Sequence, residues 1–208
     1  MSPAIPHVSE SRPGKPGEPS IPDVLMAAFR REVLLNVPIH LFILIPAACL
    51  MAHLSTRIDR VLGWGGIVRE PWNIVAGILL ILAGLLIVWY TYGYLAIMGQ
   101  GSPGTHLGGP VRLVTTGPYA LCRHPSIIGK WLGVTGLGCV VGSPVFLFVV
   151  IPMLTAYSLL AARHLQERRC VELWGEAYLA YRRNTPLVIP RIRGLRIKKD
   201  AGERRAIM

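Results

Sequence analysis

A chain of 208 residues carries 22 Lys or Arg against 11 Asp or Glu, a formal charge of +11, yet 52% of it is hydrophobic. With a mean hydropathy of +0.46, that composition argues against an ordinary soluble domain and a disordered polyelectrolyte, and fits an integral membrane protein with room for one membrane domain. Nor does the charge point to nucleic acid. From Arg163 onward there are twelve Lys or Arg against five Asp or Glu, directly after an apolar block, where anionic headgroups and the positive-inside rule select a basic tail.

Residues 1 to 22 are rich in Pro, Ser and Gly. Their apolar content is too low to offset ordering entropy, so they read as a disordered cytoplasmic tail ahead of a membrane domain over residues 23–191, with a basic tail over 192–208. No short apolar segment with a small-residue cleavage site opens the chain, and a cleaved signal peptide is not expected. Asp23 is a favourable N-cap for a first helix. Three blocks lack Asp, Glu, Lys and Arg: Val33 to Thr56, Pro71 to Val111 and Trp131 to Ala162. The first crossing is expected from Val33 to His53, with kinks at Pro38 and Pro46, and a loop from Leu54 to Pro71 follows. The second crossing, Trp72 to Met98, is long enough to tilt or protrude at about 1.5 Å per residue.

A glycine-rich loop from Gly99 to Thr105 lacks the ending of a phosphate-binding loop and reads as a flexible rim. The block from Ser126 to Ala162 is too long for one crossing, and Gly142-Ser143-Pro144 breaks it into a hairpin, Ser126–Val141 and Val145–Ala162. The fold class expected is all-α and integral to the membrane. It has about four crossings, both termini on the cytoplasmic side, and a C-terminal helix that with the central loop frames a site. Cys49, Cys122, Cys139 and Cys170 show no CxxC pairing and read as small buried hydrophobes rather than a metal centre.

Two polar segments flank the hairpin. In Gly117-Pro118-Tyr119 to Arg123-His124-Pro125, a turn signal is followed by a proline that disfavours helix at His124, so a guanidinium and an imidazole sit on irregular backbone beside membrane helices. After the hairpin, Arg163 and Glu167 are spaced i and i+4 on the exiting helix, where they would pair on one face. Glu172 and Glu176 repeat the spacing as a solvated face. Tyr178, Tyr181, Pro186 and Pro190 suggest a turn back toward the membrane.

Gly117-Pro118-Tyr119, Arg123-His124-Pro125 and Gly129 resemble the GPY…RHPxYxG motif of the isoprenylcysteine carboxyl methyltransferase and phospholipid methyltransferase superfamily. Gln166-Glu167…Trp174-Gly175…Tyr178…Tyr181…Pro186…Ile189-Pro190 is similar to its second motif. The likeness covers about residues 99 to 191. Two positions depart from it: Ile127 stands where the family has tyrosine, and Gln166-Glu167 replaces an acidic pair. The resemblance implies S-adenosylmethionine as cofactor, a lipophilic or lipidated acceptor drawn from membrane lipid, and methyl transfer at the cytoplasmic face. It implies cofactor contacts from Tyr119, Leu121, Arg123, His124, Pro125, His164, Glu167, Tyr178 and Tyr181, with Arg163 and Glu167 acting on the methyl donor or acceptor, and no metal. An isoprenylcysteine-like carboxylate, a phospholipid amine and a small thiol or amine all stay open as acceptors. A nicotinamide-dependent membrane reductase and a non-catalytic four-helix module are the rival readings.

Overall fold

A computed structural model describes residues 19–27, 42, 45–66, 70–100 and 110–189. Within these residues the chain is helical, without strands. The helices are α1 (Ile21–Ala27), α2 (Ile45–Leu62), α3 (Trp72–Met98), α4 (Pro118–Leu121) and α5 (Pro125–Val141). A π-helical turn at Phe146–Val150 leads into α6 (Ile151–Ala161), and a second, Ala162–Gln166, leads into α7 (Glu167–Asn184). Two helical stretches, Trp72–Met98 and Phe146–Asn184, are long and apolar enough to cross a membrane, and Pro125–Val141 is a shorter apolar helix. Ile78, Leu79, Leu82, Leu85 and Leu86 of α3 are exposed, the surface that hydrocarbon rather than water would solvate.

The pairing of α3 with α5 is the principal contact of the fold, and glycines set its closeness. A methyl group added at Gly77 would lie 2.5 Å from a Val140 side-chain carbon, one at Gly129 2.7 Å from the Gly84 carbonyl, and one at Gly136 2.5 Å from the Gly77 carbonyl. Gly77 and Gly84 are spaced seven apart, as are Gly129 and Gly136, so each helix presents a groove into which the other's backbone fits. Between helices in lipid, where burial of apolar surface offers no drive, this close approach is what association rests on.

The hairpin expected at Gly142-Ser143-Pro144 is present. Gly142 adopts a left-handed conformation, φ 68°, and its N–H donates to the carbonyls of Gly138 and Cys139 at 3.0 Å each. Trp131 Nε1 donates to Ser158 Oγ at 3.0 Å, and Ile127 packs with Ala162, so the two arms run antiparallel. A buried acid fastens the turn. Asp59 of α2 accepts hydrogen bonds from Ser143 Oγ and, at 3.0 Å, from the Val145 N–H, while Ser143 Oγ accepts from the Phe146 N–H at 3.1 Å. Donors at a helix start that would otherwise go unpaired are satisfied here by a carboxylate from another helix.

Several expectations change. The first crossing falls partly outside the described residues, as do Pro38, residues 1–18 of the tail, the loop over 101–109 and the basic tail. The segment expected as loop after His53 continues as helix to Leu62, because Ser55 and Asp59 are buried on its inner face while Arg57 and Arg60 stay outside. Helix α1 starts at Ile21 rather than after Asp23: Ser20 is the cap, its Oγ accepting from the Asp23 N–H and donating to the Asp23 carboxylate. Cys49 is exposed, whereas Cys122 is buried.

Filling the α3–α5 groove should break the fold. Gly84→Leu is expected to destabilise by about 1–3 kcal/mol, read as a lower melting temperature in detergent, whereas Leu85→Ala on the exposed face should change it little.

Candidate active site

The sequence folds the two polar segments onto each other. Gly117 takes φ 56°, and a side chain there would strike the ring of Tyr94, so this position of the turn requires glycine. Tyr94 Oη and Thr116 Oγ1 are hydrogen-bonded at 2.9 Å, which ties the turn to the end of α3. The Arg123 N–H donates to the Pro186 carbonyl at 2.9 Å and the His124 N–H to the Leu187 carbonyl at 3.0 Å. Tyr181 Oη donates to the Tyr119 carbonyl at 2.6 Å. The Arg-His-Pro turn is thereby clamped by the segment that follows α7.

Reaching that segment requires the chain to reverse. A straight helix would hold Glu167 and Arg182 about 22 Å apart, but Arg182 Nε lies 3.3 Å from Glu167 Oε2. The reversal occurs at Gly175, whose φ of 49° and ψ of −126° break α7 into two arms. Open space surrounds Gly175, so its backbone angles, not crowding, call for glycine there.

At the centre is Glu167, with 1% of its side chain exposed. Arg123 forms a direct ion pair with Glu167 Oε1, and His124 Nε2 lies 3.9 Å from the same oxygen. Burial pushes the Glu167 carboxyl up, but His124, Arg123 and Arg182 together outweigh it and hold the group below its ordinary value. Tyr178 is 3% exposed and stacks edge-on with Tyr181, ring centres 6.0 Å apart. Burial, with Tyr92 and Tyr181 nearby, holds the Tyr119 phenol well above its ordinary pKa, and burial pushes the Cys170 thiol up to about 11, so both stay protonated at neutral pH. Among the described residues Arg123 Nε, His124 Nε2, Glu167 Oε2 and Tyr178 Oη are buried without a hydrogen-bond partner. Buried polar atoms of this kind are costly unless something binds them.

Of the residues singled out in the sequence, Tyr119, Arg123, His124, Glu167, Tyr178 and Tyr181 are brought together. Pro125 is buried as the first residue of α5. Leu121 is 58% exposed. Arg163 and His164 are exposed and form no ion pair with Glu167, so the expected Arg163–Glu167 pair is absent. The π-helical turn Ala162–Gln166 explains this. One turn there takes more than four residues, so Ala162 and Glu167, five apart, share the buried face and Arg163 is rotated outward. Gln166 is exposed as well, so the residue replacing the first acid of the family pair points away from the cluster. Ile127 is buried against Ala162 and Val188, a packing position. Arg182 was not anticipated: it lies fifteen residues along the chain from Glu167, and the turn back expected from Tyr178, Tyr181, Pro186 and Pro190 begins earlier, at Gly175.

Residues 72–172 match the family described as phospholipid methyltransferase. Protein-S-isoprenylcysteine O-methyltransferase of Rattus norvegicus is 28% identical over 156 residues, 71% of this chain and 52% of the relative. The chain is similar to the isoprenylcysteine carboxyl methyltransferase and phospholipid methyltransferase superfamily over these stretches. The Homo sapiens protein of the same name is 26% identical over 161 residues, 72% of this chain and 52% of its own. The cobalt-zinc-cadmium resistance protein CzcN of Cupriavidus metallidurans is 37% identical over 82 residues, 38% of this chain and 36% of its own. The chain thus spans about half the length of the isoprenylcysteine relatives it matches. No solved structure matches it.

Removing the central carboxylate leaves Arg123 buried and unpaired. Glu167→Gln is therefore expected to cost about 3–5 kcal/mol near neutral pH, against about 0.5 kcal/mol or less for Arg163→Gln. Because the folded-state pKa of Glu167 is lowered, its contribution is complete above the ordinary carboxylate range and is lost as pH falls through the folded value. Melting curves of wild type and Glu167→Gln should converge in acid; a constant gap down to about pH 3 would contradict the assignment.

Proposed function

We propose that this chain is a multi-pass membrane enzyme that transfers a methyl group from S-adenosylmethionine to a lipophilic acceptor bearing a carboxylate. In this reading it crosses the membrane about four times, with both termini and the site at the cytoplasmic face. The observation that carries the proposal is the Glu167 cluster, with its buried and unpartnered polar atoms, at the end of an apolar helical bundle.

The residues fit the cofactor's polar end. A carboxylate of an amino-acid moiety calls for donors, which Arg123 Nε and Tyr178 Oη offer, and its ammonium calls for an acceptor, which Glu167 Oε2 would offer in exchange for its 3.3 Å contact with Arg182 Nε. The rings of Tyr178 and Tyr181, set edge to face, supply apolar surface beside the cluster. S-adenosylmethionine, when bound, supplies a methyl already activated on a sulfonium. What remains for the protein is to orient the acceptor, exclude water and hold charge.

A carboxylate acceptor asks least of Glu167. Glu167 is committed to Arg123 and Arg182 and is held below its ordinary pKa, which makes it a poor proton acceptor. A carboxylate is already nucleophilic. Such an acceptor would take the methyl from the sulfonium onto its oxygen without giving up a proton. An amine or thiol would have to lose a proton.

Calorimetry should find S-adenosylhomocysteine bound to the wild-type protein, with NADPH not bound. Affinity should drop by 10-fold or more in His124→Ala, about 1.4 kcal/mol. Undiminished affinity in that variant would remove His124 from the site, and binding of NADPH instead would favour a reductase.

A further inference from the structure

Lys130 sits in the second turn of α5 and is the only Asp, Glu, Lys or Arg of that helix. A charged group among apolar helices is costly and calls for a partner. Its ammonium lies 5.9 Å from the ring centre of Tyr92 on α3, within the range of a cation–π contact. Among the described residues no carboxylate lies within ion-pairing distance of it. Lys130 is exposed.

The ring beneath Lys130 leads into the site. Tyr119 packs against the core cluster of Tyr94, two residues along α3 from Tyr92, the Tyr119 carbonyl accepts from Tyr181, and Tyr181 meets Tyr178 edge-on beside Glu167. A line of tyrosines therefore connects the lysine on the apolar flank with the buried charge cluster. Arg123 and Arg182 are engaged by Glu167, and Arg163 is turned outward. An anion arriving along the apolar side would meet Lys130 before it met the cluster.

Resting on the methyltransferase reading, we infer that Lys130, held over Tyr92, selects an acceptor with a carboxylate head by pairing with it on its way from the bilayer. The preference is self-releasing. Methylation turns the carboxylate into a neutral ester, so the product loses the attraction that held the acceptor.

The test is calorimetry on the full chain in detergent micelles, using a farnesyl thioether carboxylic acid and its carboxamide as probes. Wild type should bind the acid about 10-fold or more tightly than the amide, the scale of a charge-assisted hydrogen bond. Lys130→Met should lose that preference and Lys130→Arg should keep it, with S-adenosylhomocysteine affinity and melting temperature unchanged in both. Lack of preference in wild type, persistence of it in Lys130→Met, or equal weakening of acid and amide would overturn the inference. So would displacement of the acid by phosphatidylglycerol at equal concentration, which would make Lys130 a general headgroup anchor. A wild type that prefers the acid but does not bind S-adenosylhomocysteine would overturn the methyltransferase reading alone.

Discussion

One buried carboxylate organises the site end of this molecule. Glu167 draws Arg123 and His124 from the turn before the hairpin and Arg182 from the arm after Gly175. Apolar packing of Val188 and Leu187 against Ile127 and Ala162 draws the same segments together. The backbone bonds from Arg123 and His124 to Pro186 and Leu187 place both chain segments within reach of the carboxylate. A buried ion pair contributes little net stability, but breaking one is costly. The pair therefore fixes a unique arrangement rather than adding to an already firm one.

The glycine-lined contact of α3 and α5 supplies the rigid frame. It holds the backbones close enough for Gly117 to meet the Tyr94 ring and for the Arg-His-Pro turn to start α5 where Glu167 can reach it. At the opposite end of the hairpin, Asp59 has an analogous role, capping the second arm from α2. Each end of the hairpin is thus fastened by an acid from a neighbouring segment. The Asp59 carboxylate is engaged by protein donors at both oxygens, with a single unpartnered polar atom, Asn73 Oδ1, buried at that end, whereas four such atoms gather around Glu167. That contrast separates a structural acid from a site.

Much of this was legible in the sequence. Hydropathy located the long apolar helices, Gly142-Ser143-Pro144 located the hairpin, and the two polar segments named Arg123, His124, Glu167 and the tyrosines. Where the reading failed, it assumed regular geometry. The i, i+4 rule paired Arg163 with Glu167, but a π-helical turn adds a residue and rotates Arg163 outward. The turn back toward the membrane was expected around Tyr178 to Pro190, but the chain reverses earlier, at a single glycine in an unusual conformation, and that brings Arg182 onto Glu167. Asp59 looked like a loop residue because its polar partners lie across the bundle, beyond any local pattern. Local periodicity cannot report such departures, since they are stabilised by contacts distant in sequence.

The central claim is that the Arg-His-Pro turn and the folded-back α7 form one cofactor site. It is tested most directly by ultraviolet cross-linking of methyl-tritiated S-adenosylmethionine to the full chain, followed by peptide mapping. The account predicts label confined to peptides covering residues 117–125 and 167–182, and removed by excess S-adenosylhomocysteine. Label concentrated at the far end of the bundle, around Asp59, Asn73 or Ser143, or label that S-adenosylhomocysteine does not displace, would contradict it.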